Sequence, residues 1–252
     1  APITSPHPGA PEQTRADLAS EVAALSPRLT ELALALHGDP ETAFEEIRAA
    51  GRITDLVREE GIEARVGAFG RDTAVHASFT AGTGGRTVGI LAEYDALPDI
   101  GHACGHNIIC ATGVGAFLAL HRLARRRPDA FDGTVVLYGT PGEEGHTGKE
   151  YMAREGAFAE LDAAIMLHPY GYDVADQVWL GRRTLTITYT GRAAHASAEP
   201  FMGRNALDAA TLFYTGLGLL RQQMIPVDRV HAVITEGGTR ASIIPEKAVV
   251  TV

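Results

Sequence analysis

Three short stretches decide the architecture: Thr87–Ala92 (TVGILA), Thr134–Gly139 (TVVLYG) and Ala163–Leu167 (AAIML). Each is continuously apolar rather than alternating, the pattern of a strand covered on both faces. A helical pattern at 107–127 separates the first two, and another at 147–160 separates the second from the third. Strand–helix–strand–helix–strand predicts an α/β fold with a mostly parallel sheet flanked by helices. Upstream, Leu18, Val22, Leu25, Leu29, Leu32 and Leu36 recur at helical spacing, predicting a helix over 15–38. A second helix is expected over 41–60, stopped by Gly61, followed by strands at Ile62–Val66 and Thr73–Phe79. Gly82, Gly84 and Gly85 predict a turn that folds a hairpin into the first apolar run.

Downstream the pattern changes near 182. Residues 183–190 (RTLTITYT) alternate polar and apolar without a break, as in a half-buried antiparallel strand. A helix over 204–223 and strands over 229–235 and 247–252 follow, giving the β-α-β-β order of half a split βαβ layout. The expected organisation is a loose tail over 1–14, a first domain over 15–181 and a second, incomplete α+β domain over 182–252.

The net charge of −9 disfavours binding to a phosphate backbone. The basic run Arg122, Arg125, Arg126 and Arg127 closes a predicted helix and reads as a solvated helix tail. Cys104 and Cys110 are the only cysteines, too few for a disulfide framework. The polar, proline-rich N-terminus does not read as a signal peptide, and no apolar run approaches the roughly 18 residues of a membrane span. A soluble, cytoplasmic protein is the expectation.

Each apolar run leads into groups that bind metals or move protons. The first is followed by Glu93, Asp95 and then Gly101-His-Ala-Cys-Gly-His106; the second by Glu143-Glu144; the third by His168. In open α/β sheets, ligands bind beyond the carboxyl ends of the strands, so three distant segments are expected to share one rim. Cys104 and His106 can form a soft, borderline metal-binding pair; a small buried cysteine beside a hydrogen-bonded histidine is the competing reading. The helix expected to begin near Asn107 would lower the thiol pKa. Of Glu143 and Glu144, one can bind metal while the other acts as general base, or the pair is a solvated turn. Asp95 either orients a ligand or caps a turn. His102 and His146 are alternative ligands, and His37 is a helix cap. His76, His121 and His231 read as structural.

These residues resemble a known family. Glu-Tyr-Asp-Ala-Leu-Pro (93–98) with His-Ala-Cys-Gly-His-Asn (102–107) is similar to the M20 metallopeptidases. The similarity is to the amidohydrolase branch that includes hippurate hydrolases, aminobenzoyl-glutamate hydrolases and a dipeptidase-like subgroup. Gly-Thr-Pro-Gly-Glu-Glu-Gly (139–145), Leu-His-Pro (167–169), Gly-Arg-Ala-Ala-His-Ala-Ser (191–197) and the segment 237–245 extend the match in the family's order. The resemblance implies a zinc-exopeptidase-like catalytic domain with a ferredoxin-like lid that mediates homodimerisation. It implies two divalent metal ions, zinc or manganese first and cobalt or nickel next, held by Cys104, His106, Glu144 and His168. Glu143 would be the general base, and His195, from the lid, would stabilise the oxyanion in the partner subunit's site. The implied reaction is hydrolysis of an amide bond in a small N-acyl amino acid or dipeptide-like substrate.

The sequence departs from the family pattern in two places. A further ligating histidine is expected in a later, returning segment of the catalytic domain, whereas the sequence stops at Val252, inside the lid. Ser242 stands where asparagine is common. The rival reading is a non-catalytic binding or dimerisation module on the same fold. A nucleotide site at Gly113-Val-Gly115 is disfavoured, because Leu118 stands in place of a third glycine and the motif lies inside a predicted helix. No Gly-x-Ser-x-Gly elbow of a serine hydrolase is present.

Overall fold

The computed structural model describes residues 9–175, 177 and 179–252. Positions 1–8 of the expected tail lie outside the described residues, and helix α1 (Glu12–Gly38) begins inside that tail. The chain divides into two compact units, Ala1–Asp173 and Val174–Val252.

In the first unit, Leu25, Leu32 and Leu36 of α1 are buried, as the helical spacing required. They join Ile53 and Val57 of α2 (Ile47–Glu59) and Val114, Phe117 and Leu118 of α3 (His106–Arg126) in one core. α3 is long and apolar enough by composition to cross a bilayer, but most of it is buried within this fold. Gly113 and Gly115 serve packing. A Cβ at Gly113 would lie 3.1 Å from Ala92 Cβ, and one at Gly115 would lie 2.6 Å from Leu29 Cδ1.

The sheet comprises β1 (Ala64–Val66), β2 (Val75–Ala81), β3 (Thr87–Glu93), β4 (Gly133–Thr140) and β5 (Ala163–Ile165), in the order β1-β2-β4-β3-β5. β3 is parallel to β4 and β5, while β2 is antiparallel to β1 and β4. Four strands therefore point one way and β2 the other, which makes the sheet mostly parallel.

The expected β2–β3 hairpin does not form, because β4 enters between them. The glycine turn instead lies against the residue that leads into β4. Gly82 (φ +62°) would place a Cβ 1.8 Å from Asp132 Oδ1, and that oxygen accepts the Thr83 N–H at 3.0 Å. β5 also differs from expectation. It is a three-residue edge strand whose residues are exposed, Ile165 by 57%, rather than a strand covered on both faces.

The helix expected over 41–60 starts only at Ile47. The Glu41 carboxylate folds back to accept the Arg48 and Ala49 N–H groups of its first turn, which holds 41–46 in an open loop. The helix expected over 147–160 is the single short α4 (Gly148–Arg154). Three of the four arginines of the basic run at the end of α3 are ion-paired rather than merely solvated: Arg122 with Glu60 at 2.6 Å, Arg126 with Glu21 at 3.2 Å and Arg127 with Asp17 at 2.6 Å.

The second unit contains β6 (Thr186–Thr190), α5 (Ala206–Leu220), β7 (Val233–Glu236) and β8 (Lys247–Thr251). Its antiparallel sheet has the order β6-β8-β7. Ala206 and Ala210 of α5 pack with Ala248 and Val250 of β8. Asn205 caps α5, its side chain accepting the Leu207 and Asp208 N–H groups.

Candidate metal centre

Because β3, β4 and β5 run parallel, their carboxyl ends open on the same edge of the sheet. There the structure brings together Cys104, His106 and His168, whose ligating atoms all lie within 4.8 Å of one another. Cys104 Sγ is 3.7 Å from His168 Nε2, and His106 Nε2 is 3.6 Å from Glu144 Oε1. Two donors bound to one ion at about 2.0–2.3 Å sit roughly 3.5 Å apart, so this spacing fits the residues to a shared cation.

The orientation of both imidazoles follows from their other ring nitrogens. His106 Nδ1 lies 2.9 Å from Asp95 Oδ1, and His168 Nδ1 lies 2.7 Å from the Pro169 carbonyl. A carboxylate and a carbonyl only accept, so both Nδ1 atoms carry hydrogen, and in the neutral rings the Nε2 lone pairs face the cluster. Asp95 acts twice, since its Oδ2 also accepts the Glu144 N–H at 2.7 Å. One buried carboxylate thus orders a candidate ligand from α3 and another from the β4 loop. Gly105 (φ +83°) admits the last segment: a Cβ there would lie 2.9 Å from Pro169 Cγ, next to His168.

The loop 141–148 is fastened from an unexpected direction. Glu46, fully buried just before α2, accepts the Gly142 N–H at 2.8 Å and the Thr73 hydroxyl at 2.8 Å. The Gly148 N–H donates to the Gly142 carbonyl at 2.9 Å and closes the loop. Burial pushes the Glu46 carboxyl above its ordinary range, against the pull of these donors.

Electrostatics at the centre are dominated by acids. The expected lowering of the Cys104 thiol is reversed: it is pushed up to about 12, first by burial and then by Glu144, Glu93 and Asp95. For His106, burial disfavours the charged ring, but the Asp95 hydrogen bond and the Glu93 and Glu144 charges raise its pKa overall. Burial likewise opposes ionisation of Asp95, yet its bonds with His106 and Glu144 hold it below the usual carboxylate range.

Glu143 lies beside this set, its Oε2 2.8 Å from Lys149 Nζ. Lys149 also pairs with Glu93, and Glu93 Oε2 reaches to 3.2 Å from His106 Nε2. Glu46, Glu93 and Lys149 carry no sequence signal of their own, except that Glu93 shares the end of β3 with Asp95. His102 is buried but outside the cluster, and the His146 ring lies tilted against Phe44, with the ring centroids 5.3 Å apart. In the second unit, His195 Nδ1 accepts the Ser197 and Ala198 N–H groups at 3.3 Å and faces Ser197 Oγ at 3.1 Å. Its neutral tautomer therefore carries hydrogen on Nε2.

The profile of peptidase family M20/M25/M40 matches residues 89–243. The chain belongs to this family. It is 42% identical over 226 residues to the Xaa-Arg dipeptidase of Mus musculus, covering 86% of this chain and 52% of that protein. It is 34% identical over 229 residues to a p-aminobenzoyl-glutamate hydrolase chain of Escherichia coli K12, covering 84% of this chain and 47% of that protein. The M20 chain thus spans about half the length of these curated relatives. Among solved structures, the aminobenzoyl-glutamate utilization protein of Klebsiella pneumoniae aligns with a TM-score of 0.66 at 23% identity, over 93% of this chain and 68% of that one. The Bacillus subtilis YXEP protein, described as a dinuclear metal-binding peptidase of the M20 family, aligns with a TM-score of 0.59 at 23% identity, over 91% and 64%. These structural likenesses support the fold.

Proposed function

We propose that the chain forms the metal-binding core and lid of an amidohydrolase that cleaves dipeptide-like or N-acyl amino acid substrates. The observation that carries this reading is the convergence of a thiol, two correctly oriented imidazoles and a carboxylate at the ends of parallel strands. Cys104, His106, Glu144 and His168 would hold two divalent ions, with zinc or manganese suited to this donor set and cobalt or nickel next. When bound, the ions acidify a water and polarise the amide carbonyl.

The chain's own residues supply the proton transfers. Glu143 takes the proton of the attacking water and returns it to the leaving amine. His195 of one copy presents its Nε2 hydrogen to the oxyanion developing in the site of the second copy. The 174–252 unit acts as the lid and pairs two copies of the chain. The names of the mouse and Escherichia coli relatives suggest substrates that release a free amino acid, arginine or glutamate among them.

The full-length, metal-reconstituted protein should hydrolyse members of a panel of Xaa-Arg dipeptides, aminobenzoyl-glutamate and N-acyl amino acids. Glu143→Ala should retain its metal while kcat falls by about 10²–10⁴. Wild-type turnover in that variant would refute the assignment. A metal-loaded protein inert toward the whole panel would favour a binding module instead.

A further inference from the structure

The loop after β4 carries Glu143 and leads directly into α4, whose second residue is Lys149. The Lys149 side chain is 22% exposed, and its ammonium lies between two acids: Glu143 Oε2 at 2.8 Å, and Glu93 on β3. Glu93 is only 2% exposed, and its other oxygen, Oε2, lies 3.2 Å from His106 Nε2. The lysine is therefore fixed from behind by a buried strand residue and grips the free end of a glutamate in front.

We propose that Lys149 is a positioning residue that, braced by Glu93, anchors Oε2 of Glu143 and leaves Oε1 as the oxygen that meets the attacking water. This rests on Glu143 being the general base. A glutamate side chain has several rotatable bonds, so without the ammonium the carboxylate would sample orientations that do not reach the water.

Removing Lys149 alone would leave Glu93 buried without its counter-charge, which risks unfolding. The informative variant is therefore the pair Glu93→Gln with Lys149→Met, which removes both charges together. In the metal-loaded full-length protein, this variant should keep its metal content and its KM within about twofold, while kcat falls about tenfold or more. Lys149→Arg, which keeps a cation between the acids, should recover most of kcat.

A folded double variant with unchanged kcat would overturn the proposal, as would a raised KM at constant kcat, since Lys149 would then handle substrate rather than the base. Glu143→Ala, measured in parallel, separates the two claims. An active Glu143→Ala sinks the base assignment itself, whereas an inactive Glu143→Ala beside a fully active double variant sinks only the role of Lys149.

Discussion

The two sides of the cluster are held in different ways. Cys104, His106 and Glu144 sit on segments tied to the core: Asp95 bonds both the His106 ring and the Glu144 backbone, and Glu46 clips the loop that carries Glu144. His168 follows a three-residue edge strand whose side chains are exposed, and it is oriented by its own neighbour's carbonyl and by the Gly105–Pro169 contact. The contrast teaches that a ligand set can be half preassembled by buried hydrogen bonds and half dependent on local chain geometry.

Asp95→Ala attacks the preassembled half. It frees the His106 ring and the Glu144 N–H at once, so metal affinity should fall about 10–100-fold, as measured by competition with a chelating dye. Equal affinity would show that Asp95 is a turn cap and that the rigid side needs no such brace.

Acid should weaken the same half. The Cys104 thiol, pushed up to about 12, and the His106 ring, also raised, both hold protons that an ion must displace. Affinity should therefore rise with pH between about 6 and 8, by about tenfold per unit for each proton released. A flat profile would mean that neither group ligates.

Gly105→Ala tests the hinge between the two halves. The added Cβ meets the Pro169 ring at a backbone φ of +83°, so stability should drop by roughly 1–2 kcal/mol. Thermal unfolding reads the drop, and a metal titration shows whether His168 has moved out of reach. The smallest effect is expected at the exposed side of the edge strand: Ile165→Thr should change unfolding stability by no more than about 0.5 kcal/mol. A larger loss would mean that residue 165 is covered.

Much of this was legible in the amino-acid order. Continuous apolar runs report burial locally, so β3 and β4 could be placed and the groups at their ends assigned to one rim. The pairing of β2 with β4 was not legible, because it joins 75–81 to 133–139, and a glycine cluster suits a hairpin and a crossover equally well. Lys149 and Glu46 escaped notice for a similar reason, since each gains meaning only from partners distant in the chain or on another element. The lowered Cys104 pKa expected from the helix end beside the thiol did not hold, because the fold buries the thiol and brings Glu144, Glu93 and Asp95 up to it.

Glu46 has a consequence for engineering. The loop bearing the paired acids owes its shape to a carboxylate contributed almost a hundred positions earlier in the chain, by the turn ahead of α2. Transplanting the strand ends onto a foreign scaffold without that upstream turn would carry over the reactive groups but not the fastening that sets their spacing. A minimal graft must therefore begin near Glu41.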